Sequence, residues 1–121
     1  MLDHLGLEVS DYARSVEFYR AALAPLGYGL VEESQGHAGF GPPGRPLFWL
    51  RAGERAHRRV HVAFAAVDRA AVEAFHAAAL AAGARDNGAP GPRPQYHAHY
   101  YGAFVLDPDG NNIEAVCHEP P

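Results

Sequence analysis

The sequence predicts an α+β fold made of two consecutive βαβββ modules, at residues 1–52 and 59–121. Two observations support this prediction. The apolar periodicity indicates the same order of elements twice, and a shift of 57 positions places His4 on His61 and Asp11 on Asp68. We therefore interpret the 121 residues as one domain that arose by internal duplication, with a functional cleft expected between its halves.

The first module begins with a strand at residues 2–9, in which apolar and other residues alternate. Asp11 is a candidate N-cap, and apolar residues at helical spacing predict a helix over residues 12–26. Gly27 ends this helix. Three shorter strands follow, at residues 28–33, 37–40 and 46–51, and the polar residues 52–59 are predicted to be a linker.

The second module repeats this order. A strand at residues 60–67 precedes the candidate N-cap Asp68 and an alanine-rich helix over residues 69–82, which Gly83 ends. A short strand at residues 84–86 and a proline-stiffened loop at residues 87–96 come next. The last elements form a hairpin in which residues 104–106 and 113–116 pair across a turn at residues 107–110.

Composition excludes several classes of function. A net charge of −4 and a pI near 6.0 give no basic surface for nucleic acid. No apolar run is long enough for a membrane span and no signal peptide is visible, so we expect a cytoplasmic protein without membrane partners. The single cysteine, Cys117, cannot form an intrachain disulfide, and we predict that it is buried and inert.

A metal site would therefore depend on histidine and carboxylate ligands. The chain has eight histidines, and the duplication places His4 and His61 at equivalent positions in the first strand of each module. Glu114 is a lone acid in an apolar strand, where burial would require a compensating partner. Two histidines and one carboxylate suit a divalent transition metal. His37, His57 and His76 are predicted to be surface residues.

The paired modules, His4, His61 and the motif DPDGNNIE at residues 107–114 resemble the vicinal oxygen chelate superfamily. This superfamily contains glyoxalase I, extradiol dioxygenases, fosfomycin-resistance proteins and bleomycin-binding proteins. The resemblance implies a curved mixed sheet around a cleft, with the helices on the outside. It also implies a divalent metal, Zn, Ni, Fe or Mn, bound by His4, His61 and Glu114. The unpaired sheet edges lead us to expect a homodimer.

The resemblance places a fourth metal ligand within residues 47–50, where the sequence offers none. Glyoxalase I uses a glutamate there, so the sequence departs from that enzyme. We expect a glyoxalase-like lyase or isomerase acting on a small oxygenated metabolite. Two alternatives stay open: a non-enzymatic protein that sequesters an aromatic compound, as bleomycin-resistance proteins do, and an extradiol-type dioxygenase.

The remaining candidate residues lie near the three predicted ligands. His97, Tyr101 and Glu8 are candidate acids or bases, since each carries a titratable group. Residues 95–101 are dense in aromatic and imidazole groups, and they are either packed at the start of a strand or part of a loop that closes the pocket. The candidate substrate-binding residues are Phe48, Trp49, Tyr96, His99 and Tyr100.

Overall fold

The computed structural model describes residues 2–54 and 59–121, and its first module has the predicted order of elements. The predicted helix divides into an α-helix and a short 3-10 helix, because Pro25 cannot supply the backbone N–H that would continue the α-helix. The elements are β1 (Leu5–Val9), α1 (Tyr12–Leu23), the 3-10 helix (Ala24–Leu26), β2 (Gly29–Ser34), β3 (His37–Gly41) and β4 (Phe48–Ala52).

The second module repeats the architecture, with one strand longer than predicted. We expected a loop over residues 87–96, but β6 continues to Pro92. It is an edge strand, where Pro90 and Pro92 are tolerated because proline has no backbone N–H to donate to a neighbouring strand. The elements are β5 (His61–Ala65), α2 (Arg69–Ala81), β6 (Arg85–Pro92), β7 (Tyr101–Leu106) and β8 (Asn112–Cys117).

Each module forms its own four-stranded mixed sheet, in the equivalent orders β1-β4-β3-β2 and β5-β8-β7-β6. The first and last strands of each module are parallel, and the other pairs are antiparallel. In this register Gly6 of β1 lies beside Trp49 of β4, and Ala63 of β5 lies beside Glu114 of β8. Trp49 and Glu114 therefore occupy equivalent places in the two modules.

The helix ends follow the predicted chemistry in both modules. The side chains of Asp11 and Asp68 accept hydrogen bonds from the backbone N–H of Arg14 and Ala71, at 3.1 and 2.8 Å. After the helices, Gly27 has a φ of 84° and Gly83 a φ of 100°, values that favour glycine.

Both modules contribute to a single apolar core. The rings of Phe48 and Phe64, one from each sheet, lie 5.2 Å apart, and α1 contacts α2. The buried Tyr19 hydroxyl donates to Asp107 of the β7–β8 turn at 2.5 Å. The helix-covered faces of both sheets contribute to this core. The other face of each sheet points away from the core.

Three residues away from the predicted site had predicted exposures. His76 of α2 was predicted to be exposed but is only 9% exposed, and its Nε2 lies 3.0 Å from a carboxylate oxygen of Asp86, which gives the ring a polar partner. His57 and part of the predicted linker lie outside the described residues. Cys117 is 1% exposed, as predicted.

Neither helix in the described ranges combines the length and apolar character that crossing a bilayer requires.

Candidate metal and ligand site

Glu114 is the most deeply buried acid on the outward face of the second sheet, with 1% of its surface exposed. A buried carboxylate is costly without partners, and Glu114 has two. His61 Nε2 lies 3.0 Å from Oε1, and the Tyr100 hydroxyl donates a short hydrogen bond to Oε2. β8 supplies Glu114 and β5, its parallel neighbour, supplies His61.

The second nitrogen of His61 determines which atom of the ring can bind a cation. Nδ1 lies 3.1 Å from the backbone carbonyl oxygen of Asn112, which can only accept, so Nδ1 carries the proton. In the neutral ring, Nε2 then directs a lone pair at the Glu114 carboxylate. Two acceptors so close require a shared proton or a cation between them. A histidine held by a carbonyl through its other nitrogen is typical of a metal ligand, so His61 and Glu114 fit a divalent metal.

Tyr100 fixes the second oxygen of the carboxylate. Burial, and then the hydrogen bond and charge of Glu114, raise the pKa of the Tyr100 hydroxyl, which therefore stays a donor at neutral pH. Gly102 makes room for this contact, because a Cβ there would lie 3.2 Å from both Glu114 Oε2 and Tyr100 Cε1.

Aromatic and imidazole rings surround Tyr100. The ring centres of Tyr96, His97 and His118 lie 4.9, 5.3 and 5.3 Å from that of Tyr100. The His99 backbone N–H donates to His97 Nδ1 at 3.3 Å, so His97 Nε2 carries a proton and donates to His118 Nδ1 at 2.6 Å. Tyr100 and the rings around it therefore pack beside Glu114, and His97 connects them to His118, which follows β8.

The equivalent face of the first sheet carries a pocket of about 390 Å³. His4, Glu8 and Trp49 line it, all of them predicted site residues. Glu8 is ion-paired with Arg51 at 3.0 Å. The Trp49 ring lies across Gly39, where a Cβ would be 2.9 Å from two of the ring carbons. This face thus presents an aromatic ring, an imidazole and an ion pair.

One chain brings together two of the three predicted metal ligands. The His4 side chain is 61% exposed and its Nδ1 lies 2.7 Å from Asp3 Oδ1. Within residues 2–54 and 59–121, no three histidine, cysteine or acidic side chains are grouped so that they could hold a metal. His4 belongs to the first sheet, whereas His61 and Glu114 belong to the second.

Two predicted site residues face the core instead of the site. Phe48, a predicted substrate contact, is 2% exposed and packs against Tyr19. Tyr101, a predicted acid or base, is 8% exposed and donates to Glu73 of α2 at 2.6 Å. Alternation along each strand places Trp49 and Tyr100, their neighbours, on the opposite side. The hydroxyl beside the predicted metal ligand is thus that of Tyr100.

Sequence reasoning missed two residues of these faces. His118 follows Glu114 by four positions, so alternation along the strand places both on the same side, and this spacing could have identified His118. Arg51 lies opposite Glu8 in the β1–β4 register, and that pairing becomes visible only when the strands are aligned.

The comparisons with known proteins agree with this architecture. The family model for the Glyoxalase/Bleomycin resistance protein/Dioxygenase superfamily matches residues 1–115. A sequence search of curated proteins gives no match.

Solved structures extend the likeness to nearly the whole chain. A glyoxalase/bleomycin resistance protein from Albidiferax ferrireducens is 28% identical, with a TM-score of 0.81 and coverage of 97% of this chain and 98% of that one. A family enzyme from Burkholderia phytofirmans is 21% identical, with a TM-score of 0.74 and coverage of 98% of both chains. A glyoxalase I mutant from Zea mays is 23% identical, with a TM-score of 0.71, and the match covers 95% of this chain and 46% of that one. The chain belongs to the glyoxalase/bleomycin resistance/dioxygenase superfamily.

Proposed function

We propose that the protein is a metal-dependent, glyoxalase-like lyase or isomerase that acts on a small oxygenated metabolite. The observation that carries the proposal is the pair of His61 Nε2 and Glu114 Oε1, 3.0 Å apart, with the His61 ring held by the Asn112 carbonyl. This pair offers a nitrogen lone pair and a carboxylate oxygen to the same point in space, as a divalent cation such as Zn, Ni, Fe or Mn would require.

We further propose that His4 of a second copy of the chain completes the ligand set in a homodimer. Within one chain the polar faces of the two sheets point away from their common core, so His4 does not join His61 and Glu114. A two-fold dimer can place the first-module face of one copy over the second-module face of the other, and symmetry then forms the site twice.

Each chain's own residues would prepare such a site. The hydrogen bond from Tyr100 orients Glu114, and the Asn112 carbonyl fixes the tautomer of His61. A bound divalent cation would supply Lewis-acid stabilisation of an enolate or oxyanion. Glu8, in the pocket beside His4, and His97, beside Tyr100, are the candidate groups for moving a proton.

The first experiment measures metal content and tests the shared site by complementation. We expect about one metal per chain after purification without chelators or affinity-tag metal, and its loss in His4→Ala and in His61→Ala. The matched control is His99→Ala, because His99 is exposed and bonds His97 through its backbone.

Mixing the unfolded His4→Ala and His61→Ala chains and refolding them should restore metal binding. A heterodimer of these variants has one site with both ligands intact. Failure of the mixture to bind metal, while each variant remains folded and dimeric, would exclude a site shared between chains. Wild-type protein that binds none of the four metals would exclude the metal-dependent reaction itself.

A second candidate function is sequestration of an aromatic compound, which Trp49 supports. Its half-buried ring lies in the pocket of about 390 Å³, between Gly6 and Gly39, and is available for stacking. Metal-free protein that binds planar aromatic compounds, with saturable quenching of Trp49 fluorescence, would favour this function. Oxygen uptake with catechols that occurs only with Fe(II) would instead indicate an extradiol-type dioxygenase.

A further inference from the structure

A second cavity, of about 300 Å³, lies between the modules at the turn that carries the sequence motif. Its residues come from α1, the segment before β5, the end of α2, the start of β6 and the β7–β8 turn. None of them lines the pocket beside His4. The lining residues are Arg14, Arg59, Gly83, Arg85, Leu106, Asp107, Pro108, Asp109 and Gly110.

Three arginines from three separate segments converge on this cavity: Arg14, Arg59 and Arg85. Within the part of the chain that the structure describes, none of their guanidinium groups forms an ion pair or a hydrogen bond. Guanidinium groups that line one cavity repel each other, and an anion bound between them would reduce that repulsion.

The two acids of the cavity are already engaged by other groups. Asp107 is 5% exposed and accepts hydrogen bonds from the hydroxyl of Tyr19, the backbone N–H of Asp109, and the backbone and side-chain amides of Asn111. Asp109 accepts a hydrogen bond of 2.5 Å from the Ser10 hydroxyl. These neutral donors occupy acceptor positions of the two carboxylates, and three arginines against two aspartates still give the lining residues an excess of positive charge.

Gly110 shows that the turn is shaped around one of these arginines. Its φ is 83°, which favours glycine, and a Cβ at this position would lie 2.7 Å from Arg59 Nε. The absence of a side chain at Gly110 thus lets Arg59 lie against the backbone of the turn. The motif supplies both the turn and the space for this guanidinium.

We propose that this cavity binds the phosphate group of a small phosphate monoester. Planar guanidinium groups bind phosphate oxygens in pairs, with charge-assisted hydrogen bonds. The cavity volume of about 300 Å³ is at the lower end of the range for small-molecule sites, so it accommodates the phosphate and a short organic part. Because Arg14 and Arg85 belong to different modules, a bound phosphate links the modules and stabilises the folded chain.

The test titrates inorganic phosphate and glycerol phosphate separately into the full chain at constant ionic strength, with sodium chloride as the reference. The backbone amide signals of Gly83 and Gly110 report binding at the cavity, and the thermal unfolding midpoint reports stabilisation. We expect saturable shifts of both amide signals, a Kd of about 1 mM or tighter, and a raised midpoint. Tighter binding of glycerol phosphate would identify the ester as the ligand, whereas equal binding would identify phosphate alone.

Matched charge variants separate a specific site from a general effect of charge. Arg14→Gln combined with Arg85→Gln should weaken phosphate binding at least tenfold. Arg20→Gln combined with Arg45→Gln removes two exposed arginines outside the cavity and should leave the Kd within about twofold. The same weakening in both double variants, or amide shifts no larger than those with chloride, would overturn the proposal.

Discussion

The two modules share one fold but carry very different side chains at one pair of equivalent positions, Trp49 and Glu114. In the first module, Trp49 lies between Gly6 and Gly39, so a large ring has small neighbours. In the second module, Glu114 lies between Ala63 and Phe104, so a compact acid lies beside a large ring. The same register thus offers an aromatic surface in one half and a buried charge in the other. Under the proposed function, substrate contact and metal binding would be divided between these two halves.

The physical cost of the two side chains also differs. The Trp49 ring needs only space, which the neighbouring glycines provide. Glu114 needs compensation for its buried charge, and His61 and Tyr100 provide it. Removing the charge of Glu114 should therefore change metal binding, whereas replacing the Trp49 ring by another aromatic ring should not.

The largest expected effect is on metal affinity. Glu114→Gln keeps the shape of the side chain but removes its charge, and we expect metal affinity to fall on the order of 100-fold or more, because even residues that only support a ligand contribute about 10–100-fold. Trp49→Phe at the equivalent position should leave the affinity within about twofold. Calorimetric titration of Zn or Ni into the apo-proteins measures both values. Equal losses in the two variants would contradict the division of tasks.

The next largest expected effect is on stability, at the two glycines that make room for Trp49 and Glu114. Gly39→Ala would place a Cβ 2.9 Å from Trp49 ring carbons and from Pro46 Cβ, whereas Gly102→Ala would place one 3.2 Å from the ends of Glu114 and Tyr100. We expect Gly39→Ala to lower the free energy of unfolding by about 2–3 kcal/mol and Gly102→Ala by less. Urea unfolding measures both changes.

The Gly39→Ala variant should also shift the emission of Trp49, which is the only tryptophan. The Gly102→Ala variant should leave that emission unchanged. If Gly39→Ala leaves both stability and emission unaltered, the Trp49 ring does not depend on Gly39 for its position.

The sequence was sufficient for the order of the elements and for the repeat, but not for the length of β6, because apolar periodicity, caps and helix-ending glycines are local signals and the proline-rich β6 has none of them. It was not sufficient for the side of a strand that each residue occupies. Phe48 and Trp49 are adjacent and both aromatic, so alternation separates them without saying which one faces the core. The same ambiguity applied to Tyr100 and Tyr101, and only packing against the helices resolved it.

How the two modules pack against each other could not be predicted from local signals either. In the structure, α1 and α2 contact each other in the core that both modules share. Contacts such as Phe48 with Phe64 join residues far apart in the chain, and no periodicity reports them. This packing bears on the proposed site, in which a second copy of the chain would supply His4.

A smaller effect concerns the buried hydrogen bond that joins the modules. Tyr19→Phe deletes one of the donors to Asp107, and we expect a loss of about 1–2 kcal/mol in the free energy of unfolding near neutral pH. Tyr28→Phe is the matched control, because Tyr28 also packs a ring against the other module but is only partly buried. Urea unfolding should show a smaller loss for this control.

The contribution of Tyr19 should also disappear at alkaline pH. Burial first, and then the charge of Asp107, raise the pKa of the Tyr19 hydroxyl well above its ordinary value of 10.0. Above about pH 10 the unfolded chain loses this proton while the folded chain keeps it, so stability falls as the pH rises. The wild type should lose up to about 1.4 kcal/mol per pH unit more than Tyr19→Phe does there. Parallel pH profiles for the two proteins would show that the hydroxyl is not buried against Asp107.

The smallest expected effect is at the helix N-caps, where the two modules are alike. Asp11→Ala and Asp68→Ala each remove an N-cap that accepts one backbone N–H, and each should cost about 1 kcal/mol in the free energy of unfolding. Asp→Asn at the same positions keeps an acceptor and should cost less. The two losses in the free energy of unfolding should agree within about 0.5 kcal/mol, because the same capping interaction begins the equivalent helix in each module. Clearly unequal losses would show that the two caps do not contribute alike, although each accepts a backbone N–H in the same way.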